Sequence, residues 1–364
     1  MKPWTGVITA YRDRLPLCED APRVTLLEGN TPLVPSVALR EILPGNLDIF
    51  FKCEGLNPTG SFKDRGMAVA FAQALSRKAS TCLCASTGNT AASAAAYAAR
   101  TGLRCIVLLP EGSIAKGKLA QAAMHGATIV SITGSFDNSM RMAQELVLQR
   151  PEIELVNSVN PFRIEGQKTA AFEVSDVLGD GPDFHFLPVG NAGNITAYWK
   201  GYREYAQAGK IARLPRMVGF QAAGAAPIVE GRVIPDPQTV ASAIRIGNPA
   251  SWKGAVAAAA ESGGWIASVT DEEILDAYQF LARREGIFVE PASAAGVAGL
   301  RKETERGRIP PGSRIVITLT GHGLKDPEIS VRVAAPEPIS IEPVLSELLR
   351  ALESKGCRGS HSLL

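Results

Sequence analysis

Thr81-Cys82-Leu83-Cys84-Ala85 is followed at once by Ser86-Thr87-Gly88-Asn89-Thr90 and then by Ala91-Ala92-Ser93-Ala94-Ala95-Ala96-Tyr97-Ala98-Ala99-Arg100, and this stretch decides how the chain folds. A short apolar run bounded by small turn residues reads as a strand, and the alanine-rich stretch behind it as a helix. The same unit recurs in both directions along the chain. Further strands are expected at Asp48–Cys53, Arg104–Leu109, Thr128–Ile132, Asp183–Val189, Arg216–Phe220 and Arg314–Leu319. Helices are expected at Gly88–Arg100, Lys116–His125, Phe136–Gln149, Ile164–Leu178, Ile195–Gln207 and Glu272–Arg284. Strands alternating with helices of about 10–15 residues mean βαβ units, hence an α/β protein with mostly parallel sheets buried on both faces.

The chain has 364 residues, too many for one ordinary core at roughly 100–200 residues per domain, so two domains are expected. With 46% hydrophobic and 20% charged residues it is a globular composition. Thirty-eight basic against thirty-six acidic residues leave +2, which offers no electrostatic footprint for nucleic acid or an anionic membrane. The segment Ala79–Ala99 is uncharged, but Leu83 is its one strongly apolar aliphatic residue and Ser, Thr, Gly and Asn recur. It reads as a buried, polar-lined segment, not a lipid-facing helix. Met1-Lys2-Pro3-Trp4 lacks the apolar core of a signal peptide, so a cytoplasmic protein is expected, with its six cysteines reduced. Cys82 and Cys84 share one face of a strand, where bridging is geometrically poor. Pro336 and Pro338 punctuate a linker over Ala335–Pro343, ahead of an amphipathic helix near Leu345–Leu352 and a loose tail from Lys355 to Leu364.

Parallel sheets place ligands at strand-to-helix junctions. One such junction, Gly112-Ser113-Ile114-Ala115-Lys116-Gly117-Lys118, has Walker A spacing but continues with Leu119, where a Mg²⁺-holding hydroxyl is required; a plain helix start is the better reading. At Ser86–Thr90, small residues expose backbone N–H groups and hydroxyls that suit a carboxylate, or simply cap the helix. Gly190-Asn191-Ala192-Gly193-Asn194 permits left-handed backbone and converging N–H groups. It has no GxGxxG spacing, so a single phosphate or a structural turn is indicated, not a dinucleotide. Finally, Asn57-Pro58-Thr59-Gly60-Ser61-Phe62-Lys63-Asp64-Arg65-Gly66 leads into a helix with Lys63 in its first turn. The helix dipole and Arg65 are expected to lower that amine to about 7–8, as a nucleophilic lysine requires.

A lysine nucleophile, a one-phosphate cradle and a carboxylate loop are the parts needed for pyridoxal 5'-phosphate and an amino acid. With Glu28-Gly29-Asn30-Thr31-Pro32-Leu33, Asn57–Met67, Ser86–Thr90, Asn157–Thr169, Gly190–Asn194, Glu290-Pro291-Ala292-Ser293 and Thr318–Pro327 in this order, the chain resembles the threonine synthase family from about Leu26 to Pro327. The resemblance implies the two-domain, tryptophan-synthase-β-like architecture (fold type II of the pyridoxal-phosphate enzymes), each domain a mostly parallel sheet flanked by helices. It implies a large domain of residues 1–45 and 155–345 holding the cofactor phosphate and ring. A smaller domain, 46–154, would carry the Schiff-base lysine and the carboxylate loop, with 346–364 as C-terminal helix end and tail.

Residue by residue, the resemblance implies that Lys63 holds the cofactor covalently and that Gly190, Asn191, Ala192, Gly193 and Asn194 bind its phosphate. It places Asn89 on the ring hydroxyl and Thr320 on the ring nitrogen. Ser86, Thr87, Asn89 and Thr90 would hold the substrate carboxylate, and Asn157, Ser158 and Arg163 the substrate phosphate, with a bridge from Arg163 to Glu165 as the bland alternative. No metal is called for. Leu56 and Gly296 stand where the family has Ala and Ser, and are expected to bear on substrate fit. The implied reaction makes L-threonine and phosphate from O-phospho-L-homoserine and water, in a homodimer. A threonine or serine dehydratase of the same fold, or a catalytically silent pyridoxal-phosphate-binding regulatory protein, are the rivals. His125, His185 and His361 read as structural, His322 as structural or close to the cofactor, Tyr198, Trp199 and Tyr202 as core or interface, and Ala255–Ala260 as a close-packed helix.

Overall fold

Backbone pairing sorts the strands into two sheets in the computed structural model, which describes residues 3–111, 116–134, 136–335 and 338–356. The strands are β1 (Leu33–Pro35), β2 (Asp48–Cys53), β3 (Thr81–Ala85), β4 (Arg104–Pro110), β5 (Thr128–Ile132), β6 (Ile153–Leu155), β7 (Phe184–Pro188), β8 (Arg216–Ala222), β9 (Trp265–Val269) and β10 (Arg314–Leu319). One sheet has six strands in the order β1-β2-β10-β7-β8-β9, and the other four in the order β5-β4-β3-β6. Every pairing is parallel except β1 with β2. Central strands β3 and β7 are buried along their whole length, as the Cys-, Leu- and Phe-rich runs predict, whereas edge strand β5 keeps three of its five residues exposed.

Strand β2 departs from the expected division. It falls in the 46–154 segment, yet it pairs with β10 in the larger sheet, Ile49 opposite Ile315 and Phe51 opposite Ile317. The smaller sheet is built from residues 81–155 alone. The compact unit that contains both sheets spans Met1–Asp326, short of the expected 345. A second unit, Pro327–Leu364, has helices at Pro327–Ala334 and Leu345–Gly356, the latter covering the expected amphipathic segment. The Walker-like residues 112–115, His361 and most of the tail lie outside the described residues.

The expected Ile164–Leu178 helix is two, Pro161–Gln167 and Thr169–Leu178, broken at Lys168. Strands β1, β6 and β9 were too short or too mixed to signal themselves. Tyr198, Trp199 and Tyr202 belong to the core of the larger sheet. There His185, neutral because burial pushes it down to about 3, bridges the Tyr202 and Thr318 hydroxyls at 2.8 and 2.7 Å. Cys18, Cys53, Cys82, Cys84 and Cys105 are free thiols. His125 is exposed at the end of its helix. Gly296 lies against the larger sheet: a Cβ there would meet Ile317 at 2.9 Å. Its lack of a side chain is therefore a packing matter, not one of substrate fit, and Leu56 is 61% exposed.

Two contacts lock the Lys63–Ser76 helix in place. Gly66 and Gly166 face each other where it crosses the Pro161–Gln167 helix; a Cβ on Gly66 would lie 2.8 Å from the Arg163 carbonyl, and one on Gly166 2.0 Å from that of Arg65. Beside this crossing the fully buried Arg65 donates to Glu54 through Nε and Nη2 (2.7 Å each) and to Glu173 through Nη1 and Nη2 (2.6 and 2.7 Å). Lys52 adds a 2.6 Å bond to Glu173. Burial alone would raise Glu173, but Arg65 and Lys52 override it and hold the carboxyl down at about 2. Removing one partner of such a buried network leaves uncompensated charge. Arg65→Leu is therefore expected to lose about 3–5 kcal/mol of stability, read as a lowered urea midpoint; an unchanged midpoint would show that Glu54 and Glu173 are neutralised by other means.

Candidate active site

Lys63 opens its helix directly after Phe62, whose N–H bonds the carbonyl of Thr320 at 3.1 Å. The preceding loop is folded back by Asp64, which accepts from the Thr59 N–H (2.7 Å), the Thr59 hydroxyl (2.6 Å) and the Ser93 hydroxyl (2.6 Å). Gly60 takes the left-handed conformation (φ 85°), and its carbonyl accepts from His322 at 2.9 Å. These bonds stitch the lysine loop to the exit of β10 and to the Asn89–Thr101 helix. The Lys63 ammonium stands 4.1 Å from the centroid of the Phe62 ring.

The amine of Lys63 is pushed down to about 7. Burial is the largest cause and the nearby Arg163 guanidinium the next, partly opposed by Glu290 and Cys84. The neighbour expected to do this, Arg65, does not contribute, because Glu54 and Glu173 neutralise it on the other side of the helix. Arg163 does it instead, across the Gly66–Gly166 crossing.

Arg163 is only 1% exposed. Its one side-chain hydrogen bond among the described residues is from Nη1 to the carbonyl of Val156 at 3.3 Å, and its Nε is buried without a partner there. Among the described residues no carboxylate pairs with it; Glu165, the alternative partner, is taken by Lys168 and Lys200. Burial lowers the guanidinium to about 10, still cationic at neutral pH. A desolvated, unpaired cation of this kind is costly unless an anion joins it. Asn157 behaves otherwise: its amide clamps Ala85, accepting from the N–H and donating to the carbonyl, both at 2.8 Å. It holds the end of β3 in place and has little left to offer a phosphate. Ser158 is half-buried beside it.

At the loop after β7, Ala192 has a left-handed backbone (φ 64°), and the Gly193–Gln207 helix begins with no side-chain cap. Its first N–H groups have no intrahelical acceptor. A Cβ on Gly190 would lie 2.9 Å from Ile244, so only glycine fits there, and a Cβ on Gly193 would touch Ile164, the neighbour of Arg163, at 3.5 Å. Asn191 is tied down by Ala250 and Ser251, while Asn194 Oδ1 is buried and unpartnered. Ser86, Thr87, Gly88 and Asn89 are half-buried after β3, with Thr90 buried behind them and no side-chain cap on the Asn89–Thr101 helix. Asn89 donates through Nδ2 to Glu290 at 2.9 Å, and Thr320 donates to the other oxygen of Glu290 at 3.3 Å. His322 caps the turn that follows, Nδ1 accepting from the Leu324 N–H.

A pyridoxal phosphate fits these residues: uncapped helix N–H groups in a glycine-walled loop for its phosphate, a partly deprotonated lysine for its aldehyde, and Asn89 and Thr320 on one carboxyl between them. The sequence reading missed Glu290, which had only been a member of a motif, and Ser61, whose buried hydroxyl two residues before Lys63 has no partner. A carboxylate directly ahead of a helix-opening proline was the available signal for the first; nothing marked the second.

The family model for pyridoxal-phosphate-dependent enzymes matches residues 24–321. A threonine synthase of Mycobacterium tuberculosis (strain H37Rv) is 58% identical over 344 residues, 94% of this chain and 95% of that one. Those of Halalkalibacterium halodurans and Methanocaldococcus jannaschii are 56% and 51% identical, over 93% and 94% of this chain and 94% and 86% of theirs. Among solved structures, maize serine racemase superposes with a TM-score of 0.70 at 19% identity, covering 97% of this chain and 100% of that one, a likeness of fold. The chain belongs to the threonine synthases, within the family of pyridoxal-phosphate-dependent enzymes.

Proposed function

We infer that this protein makes L-threonine and phosphate from O-phospho-L-homoserine and water, and that the unpaired, buried guanidinium of Arg163 beside the Lys63 amine is the feature that carries the reading. Bound pyridoxal phosphate supplies an electron sink conjugated to the carbon that bears the substrate's amino group. The chain's own residues supply everything else. The uncapped N–H groups and hydroxyls of Ser86, Thr87, Asn89 and Thr90 receive the substrate carboxylate. Arg163, with Ser158 and the remaining N–H of Asn157, receives its phosphate through parallel charge-assisted donors.

Lys63 then acts as base and acid. With its amine near neutrality it takes a proton from Cα and hands it to a substrate phosphate oxygen, and only then takes one from Cβ, as the Cγ–O bond breaks and its electron pair leaves with phosphate. Arg163 stabilises the charge growing on that leaving group. Lys63 returns protons to Cγ and Cα, and water brings the hydroxyl to Cβ, so substrate plus water equals threonine plus phosphate. Thr320 offers the ring nitrogen a neutral hydroxyl in place of a carboxylate, which favours elimination and replacement over transamination. We include in this reading cofactor-phosphate binding by Gly190–Asn194, a cytoplasmic location, which the five free thiols among the described residues suit, and a homodimer, for which sedimentation is the test.

Phosphate and threonine released from phosphohomoserine in equal amounts test the reaction directly. Arg163→Ala is expected to keep bound cofactor but lose roughly 30- to 5,000-fold in kcat/KM, the kinetic equivalent of about 2–5 kcal/mol for a charge contact in a dry site. Weak deamination of threonine or serine should survive, since neither carries a phosphate; equal loss of both activities would make Arg163 structural. The lowered amine gives a pH test. A lysine is the nucleophile only when neutral, so covalent uptake of pyridoxal phosphate by the cofactor-free protein should accelerate as pH rises to about 7 and level off above it. Because Arg163 is one cause of that lowering, its removal should move the midpoint upward; a midpoint at the ordinary lysine value in both proteins would remove Lys63 from its role.

A further inference from the structure

We propose that Glu290 is a positioning residue for the cofactor ring, its carboxyl coupling Asn89 at the ring hydroxyl to Thr320 at the ring nitrogen so that amide and hydroxyl are aimed as one unit. The proposal rests on the reading that Asn89 meets the ring hydroxyl and Thr320 the ring nitrogen. Glu290 is 4% exposed and stands just before Pro291 and the Pro291–Glu305 helix, its N–H bonded to the Gly321 carbonyl at 3.0 Å. Its carboxyl lies so close to Gly321 that a Cβ there would approach it to 2.5 Å. One oxygen accepts from Asn89 at 2.9 Å and the other from Thr320 at 3.3 Å.

An acid buried this deeply ordinarily has a cation in contact. Glu290 has none among the described residues: the nearby Lys325 donates instead to the Thr59 carbonyl at 3.0 Å and to Gln121 at 2.6 Å. What the carboxyl touches is two neutral side chains of the candidate site. Asn89 has two amide hydrogens, and giving one to Glu290 fixes the plane in which the other points. Thr320 has a single hydroxyl proton and three partners for it, Glu290, Ser293 at 3.0 Å and the ring nitrogen. When Glu290 is ionised it takes that proton, and Thr320 turns lone pairs to the ring; when Glu290 is protonated it donates, and the Thr320 proton is free for the nitrogen. The groups acting on the carboxyl are Asn89 from its helix, Lys63 from the helix before it, Thr320 beside it, and Lys325 from the following turn, while the Ser293 hydroxyl bonds the Gly321 carbonyl and Thr320. Burial raises the carboxyl, and Asn89, Lys325, Lys63 and Thr320 oppose the rise.

The absorption spectrum of the bound cofactor, followed against pH in the holoenzyme, reads this coupling without reference to turnover. Glu290→Gln is expected to shift the band or its midpoint by about one pH unit or more, with affinity for pyridoxal phosphate within about tenfold of the parent. The shift should be less than additive with those of Asn89→Ala and Thr320→Val, because all three break the same unit. Glu290→Asp, which keeps the charge but withdraws it by one methylene, should show the same shift if the glutamine variant does not fold or load. A parental spectrum in both Glu290 variants alongside altered spectra in Asn89→Ala and Thr320→Val would overturn the proposal and leave the ring contacts standing. Full additivity would overturn it too, since Glu290 would then act on the ring by its own field. Unaltered spectra in Asn89→Ala and Thr320→Val would instead overturn the reading of the ring contacts on which it rests.

Discussion

Two cations, Lys63 and Arg163, are enclosed together with no carboxylate among the described residues bonded to either, and the rest of the site follows from their burial and mutual repulsion. Desolvation and like charge both favour the neutral amine on Lys63, the member of the pair that can lose a proton, while Arg163 stays charged. The pocket thus contains a base near neutrality and an unsatisfied positive charge. Either alone has bland uses. Together, in a threonine synthase family member, they match a substrate that has a proton to give at one end and a phosphate at the other.

Arg65 shows the contrasting use of the same chemistry. Two residues along the helix from Lys63, it is surrounded by two carboxylates, a threonine hydroxyl from Thr31 and another from Thr169, and every donor is used. Its network fastens β2, the Lys63–Ser76 helix and the Thr169–Leu178 helix together and leaves nothing for a ligand. Rigidity on one face of a helix therefore supports polar groups left unsatisfied on the other, and the distinction between the two arginines lies in their partners alone.

That distinction was not legible in the sequence. The alternation of strands and helices, the parallel sheets, and the junctions at Ser86–Thr90 and Gly190–Asn194 followed from apolar runs and small residues, because those features are local. Which sheet a strand joins is not local: β2 lies within the segment assigned to the smaller domain, and only its pairing with β10 reveals its place. The same holds for charges. Arg65 is two residues from Lys63 and was the natural candidate for depressing its amine, whereas Arg163 is a hundred residues away in sequence and is the one beside it. Glu290 and Asn157 were visible as letters in motifs, but what they bond, Asn89 and Thr320 in one case and the backbone of Ala85 in the other, depends on tertiary placement.

The glycine crossing gives the site a ruler. Gly66 and Gly166 bring two backbones so close that neither position has room for a methyl group. Lys63 and Arg163 each sit three residues from one of those glycines, so the spacing between the proposed base and the proposed phosphate holder is fixed by main chain, not by adjustable side chains. A phosphorylated amino acid one carbon shorter or longer would reach one of them and miss the other. Length discrimination would then reside in two residues that no substrate touches. Redesigning the pocket wall would leave it intact, and relaxing it would require remaking the contact between the helices.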